Sequence, residues 1–147
     1  MVILEMSERY ATKAVQISPY RVLMVLSQND AILFITFSGR TPELLDVMSY
    51  IPEDIPVMAL TSHMATTDCP LLLERPDGIL LPAPIHEPEA ASFGVAAPTT
   101  STTVAMAIGD MLAITAADQI HQGRTSEVFR KNHPGGAIGA AKRRKVQ

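Results

Sequence analysis

A single cysteine, Cys69, in 147 residues rules out an internal disulfide framework and fits a reducing compartment. No flanking pattern makes that thiol a nucleophile. Charge of one sign is also scarce. The formal net charge is -3 and basic residues gather only in Lys142-Arg143-Arg144-Lys145, so the balance asks for no nucleic-acid partner and favours a small polar ligand. That basic run reads most simply as a solvated tail, with a nuclear localisation signal as the alternative. Unbroken apolar runs stay short of the roughly 20 residues that cross a bilayer. Met1 to Leu4 meets Glu5 too early for a signal peptide. A cytoplasmic protein with no membrane attachment is therefore expected. There are no internal repeats and no Gly-x-x-x-x-Gly-Lys-Ser/Thr loop, and no His, Cys or acidic residues stand at metal-site spacing, so no bound metal is implied.

What is present is apolar material for one domain or part of one, at 47% of residues. The most informative stretch is Ile35-Thr36-Phe37-Ser38-Gly39-Arg40-Thr41-Pro42-Glu43. Ala31 to Phe37 is apolar apart from Thr36, as in a parallel strand covered on both faces. Gly39 permits a close turn, Thr41 suits an N-cap and Pro42 the first helical position. The amides of the turn and the following helix then favour an anion, with the hydroxyls of Thr36, Ser38 and Thr41 as further donors. This is how an open α/β sheet holds a phosphate.

Around this turn the chain alternates. Met1 to Val15 fits a helix or an extension, and Ser27-Gln28-Asn29-Asp30 a turn. A helix over 42–50 places Leu44, Leu45 and Met48 on one face, and strands follow at 56–60 and 78–82. Between those strands, Asp68-Cys69-Pro70 and Pro76-Asp77-Gly78 carry turn chemistry. Residues 82–98 hold four prolines and read as a long loop, a kind that is often functional. Pro98-Thr99-Thr100-Ser101-Thr102-Thr103 opens a helix running to about Gln119, with Ala105, Ile108, Met111, Leu112 and Ala116 as its buried face. A short helix over 126–132 precedes His133-Pro134-Gly135-Gly136-Ala137-Ile138-Gly139. Strands alternating with crossovers imply a parallel α/β sheet.

Three segments together, the Thr36–Glu43 turn, the Ala97–Thr103 helix entry with Gly109-Asp110 behind it, and the His133–Gly139 turn, resemble the SIS (sugar isomerase) domain, in its arabinose 5-phosphate isomerase branch. The resemblance runs over about residues 18–139 and implies a three-layer αβα sandwich of flavodoxin-like, Rossmann-type topology. It implies a phosphosugar ligand, no cofactor and a homo-oligomer. It places Thr36, Phe37, Ser38, Gly39 and Thr41 around the phosphate, and assigns Glu43, Glu89 and His133 to acid–base work in an aldose–ketose isomerisation. Thr99, Thr100, Ser101 and Thr102 would line the pocket, with His63 at its mouth. Structural readings stand beside these: Glu43 complements a helix dipole, Glu89 fits a solvated loop, Thr99 to Thr103 cap a helix, and Asp110 is a hydrogen-bond acceptor. His86 and His121 read as exposed. The branch opens with a Gly-x-Gly-Lys-Ser-Gly turn and a His-Gly-Asp-Leu-Gly segment that have no counterpart here, Tyr20-Arg21-Val22 standing where the latter is due. An N-terminally incomplete domain is expected, with an unpaired edge at strand 31–37. The alternative to an isomerase is a non-catalytic phosphosugar-sensing or interaction domain.

Overall fold

The computed structural model describes residues 2–4, 14–15, 26–133, 135 and 137. Residues 20–25 and the basic tail lie outside these, and of the His133–Gly139 motif only His133, Gly135 and Ala137 are described. The chain divides into two compact units, Met1–Ala105 and Met106–Gln147.

The first unit is built on strands β1 (Val2–Leu4), β2 (Ala14–Val15), β3 (Ala31–Ile35), β4 (Val57–Thr61) and β5 (Ile79–Pro82), in the order β2-β1-β3-β4-β5. β3, β4 and β5 run parallel, with Ile32 opposite Val57, Phe34 opposite Ala59, and Ala59 opposite Leu80. The α/β class and its three parallel strands thus stand as the sequence implies. Within the first fifteen residues, Val2–Leu4 and Ala14–Val15 are strands rather than parts of a helix, and the rest lie outside the described residues. β1 instead pairs antiparallel with both β2 and β3, setting Ile3 opposite Ile32. The expected open edge at β3 is therefore closed by three residues whose apolar character serves a strand as well as a helix.

Period-two alternation puts Ile32, Phe34, Val57 and Ala59 on one sheet face. Helix α1 (Pro42–Met48) and two short 3-10 turns, Thr66–Asp68 and Pro70–Leu72, supply much of the rest of that core. Val47, Ile51, Ile55, Cys69, Leu71 and Leu72 complete it, all buried. Each such side chain contributes about 1.5–3 kcal/mol by leaving water. α1 stops at Met48, two residues short of expectation, and the chain leaves it through Ile51-Pro52. That exit is fixed by the buried Arg75, whose Nη2 donates to Ile51 O (2.6 Å) and Pro52 O (3.0 Å) and whose Nη1 donates to Glu53 O (3.3 Å). The proline-rich stretch after β5 contains a short helix, α2 (Glu89–Phe93), that the sequence did not signal.

Helix α3 (Thr100–His121) begins in the first unit and continues into the second, where α4 (Thr125–Lys131) follows. The turn after α3 places Gln122 and Gly123 at φ 51 and 77, and Gly123 N–H donates to Asp118 O. None of the residues of α3 is buried, so the expected buried face over Ala105, Ile108, Met111, Leu112 and Ala116 is not formed. Met111 is 60% exposed, and the other four are half-buried. Apolar residues lie all round this helix, the exposed Met106, Ile114 and Ile120 among them, so the face read from spacing is only its less exposed side. By length and composition α3 is also long and apolar enough to cross a membrane, its mean hydropathy being 1.2. Polar residues interrupt every apolar run within it, so a search for unbroken runs passes over it.

Candidate phosphate-binding turn

At the carboxyl ends of β3 and β4 the backbone ladder gives way to side-chain chemistry. Thr36 N–H donates to Leu60 O (3.0 Å), carrying the ladder one residue beyond β3. The Phe37 carbonyl then accepts three bonds from the end of β4: Thr61 Oγ1 (2.9 Å), Ser62 Oγ (2.7 Å) and Ser62 N–H (3.0 Å). The next carbonyl, of Ser38, accepts from His63 Nε2 at 2.9 Å. A carbonyl oxygen can only accept, so that ring nitrogen carries a proton. Ser38 Oγ accepts from Arg40 N–H (3.2 Å), closing the turn on itself.

Gly39 sits at φ 63, and a Cβ there would lie 3.0 Å from Cys69 Sγ and 3.4 Å from Pro70 Cδ. Both the left-handed backbone and the lack of space require glycine. Thr41 occupies the N-cap position of α1 but makes no capping bond. Its hydroxyl instead meets that of Thr36 at 3.1 Å, so the capping role expected of it is replaced by a contact across the turn. The amides of Ser38 and Gly39 find no acceptor among the described residues. A turn with two open N–H groups and adjacent hydroxyls offers donors suited to an anion. The five residues expected around a phosphate, Thr36, Phe37, Ser38, Gly39 and Thr41, are thus in one place, with His63 beside them. Glu43 follows, exposed, in the first turn of α1.

A second cluster forms at the start of α3. Glu89 Oε1 accepts from Thr99 N–H (2.6 Å), Thr99 Oγ1 (3.2 Å), Ser101 N–H (3.0 Å) and Ser101 Oγ (2.9 Å). These bonds, the Thr99 backbone N–H foremost and the Ser101 N–H next, hold its carboxyl below the ordinary 4.5. Glu89 is a remote cap on α3, satisfying first-turn donors from a different segment. Thr99 and Ser101 serve that cap, whereas Thr100 and Thr102 are exposed. Asp110 is exposed on α3 and accepts no hydrogen bond among the described residues, so the acceptor role expected of it is not realised.

In the second unit, His133 is exposed and its Nδ1 lies 2.7 Å from Phe129 O, with the two rings 4.3 Å apart. A carbonyl only accepts, so Nδ1 donates and Nε2 is the ring nitrogen turned away from Phe129. His86 is exposed as expected, while His121 is half-buried at the end of α3. Among the described residues no group of three or more His, Cys, Asp or Glu could hold a metal ion.

Sequence reasoning missed Thr61, Ser62 and Cys69 as builders of the turn. A signal was present: Thr61-Ser62-His63 leaves β4 with two hydroxyls and an imidazole, much as Thr36-Phe37-Ser38 leaves β3.

Compared with known proteins, the chain is 33% identical over 119 residues to the arabinose 5-phosphate isomerase KpsF of Escherichia coli, covering 80% of this chain and 33% of that protein. It is 31% identical over 116 residues to the arabinose 5-phosphate isomerase KdsD of Pseudomonas aeruginosa, covering 78% and 33%. It is 32% identical over 119 residues to the uncharacterized protein RP505 of Rickettsia prowazekii, covering 80% and 34%. No protein-family model and no solved structure matches. The chain spans about a third of the length of the curated relatives it matches. By its sequence it is a distant, partial-length relative of the arabinose 5-phosphate isomerases of the SIS branch.

Proposed function

We propose that the Thr36–Thr41 turn binds the phosphate of a phosphosugar, and that the chain is the phosphosugar-binding part of an aldose–ketose isomerase of the arabinose 5-phosphate type, interconverting arabinose 5-phosphate and ribulose 5-phosphate. The observation that carries this reading is the pair of open amides at Ser38 and Gly39 beside the Thr36, Ser38 and Thr41 hydroxyls. The relation to arabinose 5-phosphate isomerases supplies the sugar. Isomerisation moves a proton between C1 and C2 through an enediol, which needs a base, an acid to open the ring and donors for the developing oxyanion. The resemblance to that branch assigns the base or ring-opening role to His133 and the carboxylate roles to Glu43 and Glu89. Thr99, Thr100, Ser101, Thr102 and His63 line the sugar pocket. The protein acts as a cytoplasmic homo-oligomer.

One observation favours a second reading, a phosphosugar sensor without turnover. Glu89 has four donors on one oxygen and its carboxyl is lowered, which suits a cap better than a proton carrier near neutral pH. Assaying the 147-residue chain for arabinose 5-phosphate turnover, with phosphorus NMR for binding, separates the two. Turnover lost in His133→Ala supports the isomerase. Binding without turnover supports the sensor, and absence of both refutes the phosphosugar reading.

A further inference from the structure

We propose that His63 is a positioning residue for the phosphate-binding turn: its Nε2–H holds the Ser38 carbonyl and so aims the Gly39 amide at the anion. The proposal rests on the turn being the phosphate site. A trans peptide unit is planar, with its C=O and N–H pointing in opposite directions, and the described residues contain no cis peptide bond. Fixing the Phe37 carbonyl on one side therefore directs the Ser38 N–H to the other, and fixing the Ser38 carbonyl does the same for the Gly39 N–H.

The two peptide units are not held equally. The Phe37–Ser38 unit is secured by three donors, Thr61 Oγ1, Ser62 Oγ and Ser62 N–H, at 2.7–3.0 Å. Among the described residues, the Ser38–Gly39 unit has only the His63 bond, at 2.9 Å. It also precedes Gly39, whose φ of 63 is one of several values a glycine tolerates, so this unit is the freer of the two to rotate once the bond is lost. The ring is itself held close, since a Cβ on Gly39 would lie 3.7 Å from its Cδ2. An amide already aimed binds an anion without reorganising, whereas a rotating one must first be ordered.

The chemistry required is one donor at the reach of Nε2. Glutamine places an N–H at that distance from the backbone; leucine fills similar space with no donor. The test is amide NMR on the full 147-residue chain, titrated with arabinose 5-phosphate and separately with inorganic phosphate. In the unsubstituted protein both ligands shift the Ser38 and Gly39 amides. His63→Leu and His63→Ala weaken binding of both by roughly three- to tenfold, the scale of one hydrogen bond. In these variants the Gly39 response is diminished more than that of Ser38. His63→Gln restores affinity to within about twofold, which mere packing would not require. Amides away from residues 36–41 and 61–63 report whether each variant is folded. His63→Leu or His63→Ala binding as tightly as the unsubstituted chain overturns the proposal, as does His63→Gln behaving like His63→Leu. If the unsubstituted chain shows no phosphate-induced shift at Ser38 and Gly39, the phosphate reading itself fails and this proposal falls with it.

Discussion

Gly39→Ala tests the turn most directly, because the structure provides both the magnitude and a control. Placing an L side chain at φ 63 costs about 1–2 kcal/mol in the backbone alone. The new methyl would also stand 3.0 Å from Cys69 Sγ, and Cys69 is fully buried, so its thiol has little freedom to withdraw. Overpacking of this kind adds on the order of 1 kcal/mol or more. The sum, about 2–3 kcal/mol, is a large share of the 5–15 kcal/mol typical of a folded domain. Gly94 is the control: its φ is 74 and nothing lies within 4 Å of a Cβ built there, so Gly94→Ala carries the backbone part only. Urea unfolding of both variants, and of Gly39→Ala in a Cys69→Ala background, separates the parts. Cys69→Ala should relieve the steric share of the Gly39→Ala defect and leave the backbone share. If Gly39→Ala is no more destabilising than Gly94→Ala, or if Cys69→Ala shows no coupling with it, the close approach of Cys69 to the turn is wrong.

Three further outcomes are expected. Phe34→Ala empties a fully buried position in the central strand and should cost about 3–5 kcal/mol of stability in urea; a loss under 1 kcal/mol would contradict the core as described. Ser38→Ala combined with Thr41→Val should weaken arabinose 5-phosphate binding by about 1–3 kcal/mol in calorimetry, since each lost hydroxyl deprives a charged acceptor of a donor. Unchanged affinity would place the phosphate elsewhere. Because the carboxyl of Glu89 is lowered in the folded chain, its ionised form contributes stability that is fully present above the unfolded carboxylate value and lost as pH falls through the folded one. The stability gap between the unsubstituted chain and Glu89→Gln should accordingly narrow under acid, and a gap unchanged across that range would show that the cap is not held by charge.

The central strands were legible because burial on both faces writes itself as short apolar runs. Ala31–Ile35, Val57–Thr61 and Ile79–Pro82 fall within a residue or two of their expected ends. The turn at Ser38-Gly39 was legible for a different reason: its chemistry is local, a glycine and hydroxyls between a strand and a proline. What escaped was set by distant partners. Glu89 becomes a cap only because Thr99 and Ser101, ten and twelve residues on, supply donors, and no spacing rule announces that. Cys69 gains its meaning from Gly39, and His63 from Ser38, both through pairing of strands far apart in sequence. The N-terminal segment reads as helix or extension alike because a three-residue strand has too few positions to display a period, and for Val2–Leu4 the partner in β3 decides the outcome.

That the Phe37 and Ser38 carbonyls are held by donors from residues 61–63 has a thermodynamic corollary. The turn cannot keep its shape as an isolated peptide; it exists only while β3 and β4 are side by side, so losing the sheet loses the site. Occupancy and global unfolding are then linked, and a ligand that binds only the folded chain raises its stability by about 2.7 kcal/mol at a hundred times its dissociation constant. A melting temperature therefore becomes a detector of the natural ligand. Phosphosugars differing in chain length and stereochemistry can be ranked by the shift each produces, with no assumption about the reaction that follows.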